Sequence, residues 1–266
     1  FDIKNQIAVI TGAGGMLGTE IAIAMAQYGA KIALVDVDEK KINKLSKLLN
    51  RKYKTKCLPV KCDVSNHCDV ATMVKNIENE LGPIQILINN AATKGKSLRE
   101  YFRPVESYDY ETWKEIISVN LDGMYLVAKE VGTKMAKRKK GSIIQIASIY
   151  SSQMASDQRI YKGSRYLDTN INTPTVYSVS KAGVVGLTLH LASYWASKKI
   201  RVNTLSPGGI FSGQNKTFVD NYSKRIPLGR MAKKEEMIGA ILYLSSDASS
   251  YVTGQNIFVD GGLSSW

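Results

Sequence analysis

The feature that most constrains how this chain can fold is a regular alternation, from end to end, of short β-branched apolar runs and longer amphipathic stretches. Residues 7–11, 31–36, 56–61, 84–89, 142–148, 200–206 and 256–259 read as strands, each rich in Val, Ile and Leu or bounded by turn residues. Between them, apolar residues recur at helical spacing over 17–28, 39–49, 69–81, 111–139, 176–197 and 234–245. Strands separated by helices cannot pair through tight hairpins; each helix carries the chain back over the sheet, so that the next strand lies parallel. Near-continuous apolar strands also fit a sheet covered on both faces. The expectation is an α/β fold, a doubly wound parallel sheet of about seven strands. No repeat, linker or composition break divides the 266 residues, so a single domain over 1–266 is expected. Two segments look irregular, 92–109 and 151–174. Both follow a strand, and ligands of open parallel sheets bind at the strands' carboxyl ends.

Composition narrows the function classes. The formal charge is +13, but the lysines are spread along the chain, and the densest run, 134–140, ends a helical stretch where cations offset the macrodipole. No nucleic-acid module accompanies it, so no nucleic-acid partner is expected. No apolar run approaches the ~20 residues needed to cross a bilayer, and FDIKNQ at the start lacks a leader pattern, so no membrane is expected and a cytoplasmic location is. Three cysteines fit a reducing compartment and no disulfide framework. Cys57, Cys62, His67 and Cys68 cluster, but without a CxxC knuckle they read as structural and no metal is expected.

Chemistry enters at TGAGGMLG, which follows the first strand and opens the first helix. Glycines there let the backbone turn tightly and approach a pyrophosphate, whose charge a helix N-terminus favours. Gly12 and Gly14 match GxGxxG, and Leu17 holds its third glycine place, so alone the signal is incomplete. Asp36, closing the second strand 18 residues after Gly18 (36 − 18), adds to it. A carboxylate there accepts hydrogen bonds from adenosine ribose hydroxyls and repels a 2′-phosphate. Gly15, where a cation could otherwise meet that phosphate, points the same way, to NAD.

Further along stand Asp63–Val64, NNAA at 89–92, Asn120 in SVNLDG, Ser148, YSVSK at 177–181 and PGGIFS. In this order the chain resembles the short-chain dehydrogenase/reductase family over essentially its whole length. The resemblance implies a Rossmann-type fold and an NAD(H)-dependent oxidoreductase interconverting a secondary alcohol and a ketone, with a catalytic set of Asn120, Ser148, Tyr177 and Lys181. Tyr177 and Lys181, at i and i+4, project from one helix face. Tyr177 would move the proton, its phenol made more acidic by the neighbouring ammonium and the oxidised nicotinamide. Lys181 would also hold the nicotinamide ribose, Ser148 the substrate oxygen, and Asn120 a relay water. For the cofactor it implies Gly12, Gly14, Gly15, Met16, Leu17 and Gly18 at the pyrophosphate and Asp63 and Val64 beside the adenine. Asn89 and Ala91 would line the channel, and Pro207, Gly208, Ile210 and Ser212 would lie against the nicotinamide. It also suggests a homotetramer or homodimer through the long helices.

Two departures stand out. The family turn reads TGxxxGxG, and its middle glycine is Met16 here. Ser148 and Tyr177 are 29 apart (177 − 148), about twice the family's interval. The extra segment, 151–174, carries Arg159, Lys162 and Arg165, which read as recognising an anionic substrate or as part of a solvated or interface loop. TGAGG, the insert and TPTVYSVSKAGVVGLT together resemble bacterial oxidoreductases of flagellin modification and nonulosonic-acid sugar synthesis, implying a sugar phosphate or nucleotide sugar. A 3-oxoacyl carrier-protein reductase and an NAD-binding sensor without turnover are the competing readings.

Overall fold

The computed structural model of the chain describes residues 1–166 and 169–265. Seven strands form one parallel sheet in the order β3-β2-β1-β4-β5-β8-β9: β1 (Ile7–Thr11), β2 (Lys31–Asp36), β3 (Cys57–Lys61), β4 (Ile86–Asn89), β5 (Gly141–Ile146), β8 (Ile200–Pro207) and β9 (Asn256–Val259). The missing numbers belong to a two-stranded antiparallel hairpin, β6 (Arg165–Tyr166) and β7 (Thr169–Asn170), inside the segment read as irregular. Helices α1 (Met16–Gln27), α2 (Glu39–Tyr53), α3 (His67–Leu81), α4 (Leu98–Tyr101), α5 (Tyr110–Ile117), α6 (Met124–Arg138), α7 (Thr175–Trp195), α8 (Lys216–Ser223) and α9 (Ile238–Ser245) connect the strands.

Strand alternation sorts the core into two layers. Ala8, Ile10, Ile32, Leu34, Ile144 and Leu205 pack under α1, α2 and α9. Val9, Val35, Leu87, Ile143 and Val202 pack on the other face under α3, α6 and α7. Each such Val, Ile or Leu side chain, fully buried, contributes ~1.5–3 kcal/mol. Helix starts are fixed locally: Asp38 accepts from Lys41 N to cap α2, and Asn66 accepts from Cys68 N and Asp69 N to cap α3.

Three expectations need correction. The helix expected over 111–139 is α5 and α6 joined through a π-helical turn, Ser118–Gly123. The fifth strand ends at Ile146, so Ser148 lies beyond it, although Ala147 N and Ile149 N still donate to Leu205 O and Pro207 O and keep the chain extended past the sheet edge. The helix expected over 234–245 opens as a 3-10 turn, Lys234–Met237, before α9. Helix α8 had no counterpart in the sequence reading.

Candidate active site

Strand order reverses beside β1, and the crevice opens between the turn after β1 and the loop after β4. Gly12 has φ +65, and a Cβ on it would lie 2.9 Å from Ala91 Cα; a Cβ on Gly18 would lie 2.1 Å from Gly12 O. Only glycine fits either position. Met16, where the family turn has a glycine, begins α1 and is 41% exposed. Helix α1 has no side-chain cap and no acid in its first turn, which leaves amide donors for an anion. Asp36 Oδ2 accepts from Gly14 N at 2.8 Å and Oδ1 from Asp38 N at 3.0 Å, which fixes the carboxylate at the rim of the turn. The cradle fits a dinucleotide.

The other cofactor candidates divide into rim and frame. Asp63 is exposed and holds Ser65 through N (2.9 Å) and Oγ (2.7 Å), while Val64 is buried against Gly123, where a Cβ would sit 2.8 Å from its Cγ2. Asn89 is turned inward, 1% exposed: its Nδ2 donates to Met124 O and its Oδ1 accepts from Thr11 Oγ1. Its side chain ties β4 to β1 and α6 instead of lining the channel. Thr11 Oγ1 also accepts from Asn90 N and Ala91 N, which sets Ala91 over Gly12. Pro207 ends β8, Gly208 N donates to Val259 O, and Ile210 bridges to Ala232. Ser212 is exposed, its N–H held by Gln214 Oε1 at 2.7 Å.

Three of the four catalytic candidates meet at the carboxyl end of β5. Ser148 stands beside the half-buried Tyr177 phenol, and its hydroxyl favours the phenolate. One turn along α7, Lys181 is 3% exposed and its Nζ donates to Ile146 O at 2.9 Å. Burial depresses the Lys181 ammonium to about 8. Burial likewise pushes the Tyr177 phenol above its ordinary value, with the Ser148 hydroxyl opposing. The expected acidification of Tyr177 by the ammonium is therefore absent from the protein alone; desolvation is the larger effect. Asn120, in the π-turn, is fully buried: Oδ1 accepts from Thr93 N at 2.7 Å and Nδ2 donates to Thr93 O at 3.2 Å. Its side chain fixes the loop after β4, and π-turns recur at functional sites because they re-aim backbone groups.

The long segment between Ser148 and Tyr177 is packed. Gln158 exchanges hydrogen bonds with the backbone of Thr173, Tyr161 Oη bonds Thr173 Oγ1 at 2.9 Å, and Asn172 Nδ2 donates to Phe102 O. Leu167 and Asp168 of this segment lie outside the described residues. Of the three cations, Arg159 is 80% exposed and paired with Asp157, while Lys162 and Arg165 are exposed. Arg225, unremarked in the sequence reading, also pairs with Asp157 and stands near Tyr150. Sequence reasoning also missed the wall around Tyr177: Tyr150, Met154, Ile160, Tyr161, Phe218 and Tyr222 form one apolar cluster with it. Tyr150 carried only its closeness to Ser148: the chain turns there, and Tyr150 N donates back to Ser148 Oγ. Tyr222 carried no signal.

A glycine-turned cradle at a sheet switch point, beside a serine–tyrosine pair and a buried lysine, defines a nicotinamide-dependent oxidoreductase. The chain matches the short chain dehydrogenase family over residues 6–223 and belongs to it. It is 34% identical to a sorbose reductase of Candida albicans over 98% of this chain and 88% of that one. It is 32% identical to a 3-oxoacyl-acyl-carrier-protein reductase of Thermotoga maritima, with 98% of each covered. Among solved structures, a gluconate 5-dehydrogenase from Burkholderia cenocepacia in complex with NADP and tartrate superposes with TM-score 0.87 at 31% identity, covering 99% of this chain and 97% of that one.

Proposed function

We propose that the protein is an NAD(H)-dependent dehydrogenase/reductase that interconverts a secondary alcohol and a ketone on a polyhydroxylated, sugar-type substrate. The observation that carries this reading is the convergence of Ser148, Tyr177 and Lys181 at the carboxyl end of β5. When bound, the nicotinamide supplies or accepts the hydride. In reduction, Ser148 holds the carbonyl oxygen, Tyr177 gives it the phenolic proton, and the Lys181 ammonium stabilises the phenolate left behind. Oxidation runs the same transfers in reverse. Asp36 supports NAD over NADP, because a carboxylate closing the second strand accepts hydrogen bonds from adenosine ribose hydroxyls and repels a 2′-phosphate. The NADP in the Burkholderia structure belongs to that protein.

The sorbose reductase and gluconate dehydrogenase likenesses support the substrate class. The relatives described above do not extend to flagellin-glycan enzymes, and an anionic substrate would rest on Arg159, Lys162 and Arg165 alone. Arg159 is already paired with Asp157. The Thermotoga likeness keeps a carrier-protein reductase as the second reading. A substrate panel tests both: sorbose, xylitol, gluconate, fructose 6-phosphate and an acetoacetyl thioester, each with NADH or NAD and then with the phosphorylated cofactors. Turnover of the unphosphorylated polyhydroxy compounds is the expected result. Exclusive reduction of the thioester would establish the second reading, and turnover confined to the phosphosugar would restore the anionic one.

A further inference from the structure

We propose that the groove between α1 and α2 is a binding site for an anion with an alkyl tail, a fatty carboxylate or an alkyl phosphate. The inference does not depend on the oxidoreductase reading and concerns α2 residues to which that reading gives no role.

The sequence over 40–56 holds eight cations and no acid, and all eight are exposed. The helix dipole accounts for part of this, since Arg51 and Lys52 lie in the last turn of α2, where positive charge is favoured. It does not account for Lys41, Lys44 and Lys47, which stand earlier in the helix. Spacings of three and four put Lys41, Lys44, Leu45, Leu48 and Arg51 on one face, with Lys47 at its edge. Like charges so spaced oppose helix formation. Asp38 pairs with Lys41, but among the described residues Lys44, Lys47 and Arg51 have no ion-pair partner. The nearby Asp36 carboxylate is already engaged by the N–H groups of Gly14 and Asp38.

These cations rim a cavity of about 520 Å³, a size that suits a small organic ligand. Its floor is apolar. Leu45, 7% exposed, belongs to the core cluster of Ile42 and Leu49, while Leu48 is 43% exposed and joins no apolar cluster among the described residues. On the α1 side stand Gly14 and Thr19, whose hydroxyl is committed to Ala13 O. Of the lining residues only Gly14 also belongs to the cofactor cradle, so the two sites adjoin without coinciding. Two chemistries together select the ligand. Four cations with no acid among the lining residues favour an anionic head, held by charge-assisted hydrogen bonds that also relieve the crowding of like charge. The leucines between them gain from an alkyl chain, which a bare phosphate or a sugar does not supply. A concave cavity seats a single chain, whereas a bilayer or a duplex meets an open face.

The test is calorimetric titration of the NADH-saturated protein with decanoate and with decyl phosphate, both kept below micelle-forming concentrations. Inorganic phosphate, which lacks the tail, and decyl glucoside, which lacks the charge, are the controls. At least one tailed anion should bind about tenfold or more tightly than either control, and the tighter of the two names the preferred head. Lys44→Glu with Lys47→Glu should weaken that binding by about tenfold or more. Lys137→Glu with Lys140→Glu makes the same change of net charge on exposed residues at the end of α6 and should weaken it by less than about threefold. Leu48→Gln should weaken the tailed anion by about threefold or more, because its chain loses an apolar wall. Equal losses in the two double variants overturn the proposal, as does no binding of either tailed anion to the NADH-saturated protein. Binding unaltered by Leu48→Gln also overturns it. So does binding of phosphatidylglycerol vesicles without binding of monomeric decanoate or decyl phosphate.

Discussion

At the scale of single residues, the site's chemistry depends on how burial treats two titratable groups. Tyr177→Phe removes the transferable proton but leaves the ring in its cluster, so kcat should fall by at least a hundredfold while NADH binding holds. Single-turnover reduction and calorimetric titration measure the two effects, and a variant keeping a tenth of wild-type kcat would show that Tyr177 is not the proton donor. The pH dependence follows from Lys181. Its ammonium titrates at about 8 in the free enzyme, while the Tyr177 phenol, pushed up by burial, stays protonated through that range. Ketone reduction needs both protons, so kcat/KM should be flat below about pH 8 and fall above it; a rate that climbs through pH 8 contradicts the assignment. By linkage, a lysine depressed in the native state costs stability when the unfolded chain holds the proton more tightly. The apoprotein should therefore gain stability as pH rises from about 8 toward the ordinary lysine value near ~10.4, a gain that Lys181→Met abolishes. Asp36→Ala removes an acceptor of charge-assisted hydrogen bonds, typically ~1.5–3 kcal/mol, so NADH affinity should drop by one to two decades while the gap to NADPH narrows. Titration with both reduced cofactors reads it. These residues were legible because each sits at a fixed interval in a local motif. The partners that set their acidity were not, since burial arises from tertiary packing.

At the scale of elements, strands and long helices could be read from periodicity, and interruptions could not. The sequence over 111–139 is helical throughout, and the π-turn inserted at Ser118–Gly123 shifts the helix face without a proline or a local change of pattern. What holds it is tertiary: Asn120 to Thr93, Gly123 to Val64, and Leu121 against Gly183 of α7, where a Cβ would lie 2.9 Å away. Asn120→Ala would strip two part-buried backbone groups of Thr93 of their partners, at up to ~1–3 kcal/mol each. Thermal unfolding should fall by several degrees, at roughly 2–4 °C per kcal/mol for a chain of this size. An unchanged midpoint would mean that the π-turn does not depend on this contact. Helix α8 escaped notice for a related reason. It is eight residues long, capped by Asn215, and its buried Tyr222 packs with Ile149, Tyr150 and Ile160, supplied from far along the chain. The hairpin β6–β7, with two residues per strand, is too short for alternation to register.

At the scale of the whole molecule, α7 is apolar on both sides. Its inner side carries Val184, Leu191 and Trp195, and its outer side leaves Val179 44%, Leu189 55% and Tyr194 68% exposed, with Tyr125 of α6 at 47%. These exposed apolar side chains, interspersed with the exposed His190 and Ser193, fit the face through which the homo-oligomer expected from the long helices would form. Leu189→Glu with Tyr194→Glu should reduce the mass measured by light scattering to that of one chain; an unaltered mass places the contact elsewhere. The segment between Ser148 and Tyr177 interlocks with α8: Asn221 Nδ2 donates to Ile160 O and Lys162 O, Asn215 Nδ2 donates to Ser164 Oγ, and Asp157 pairs with both Arg159 and Arg225. For anyone redesigning the substrate range, these two stretches behave as a single cassette. Grafting the insert alone into a relative would strand the Asn215 and Asn221 amides that clasp it. Specificity in this chain is inherited as a pair of segments some fifty residues apart, or not at all.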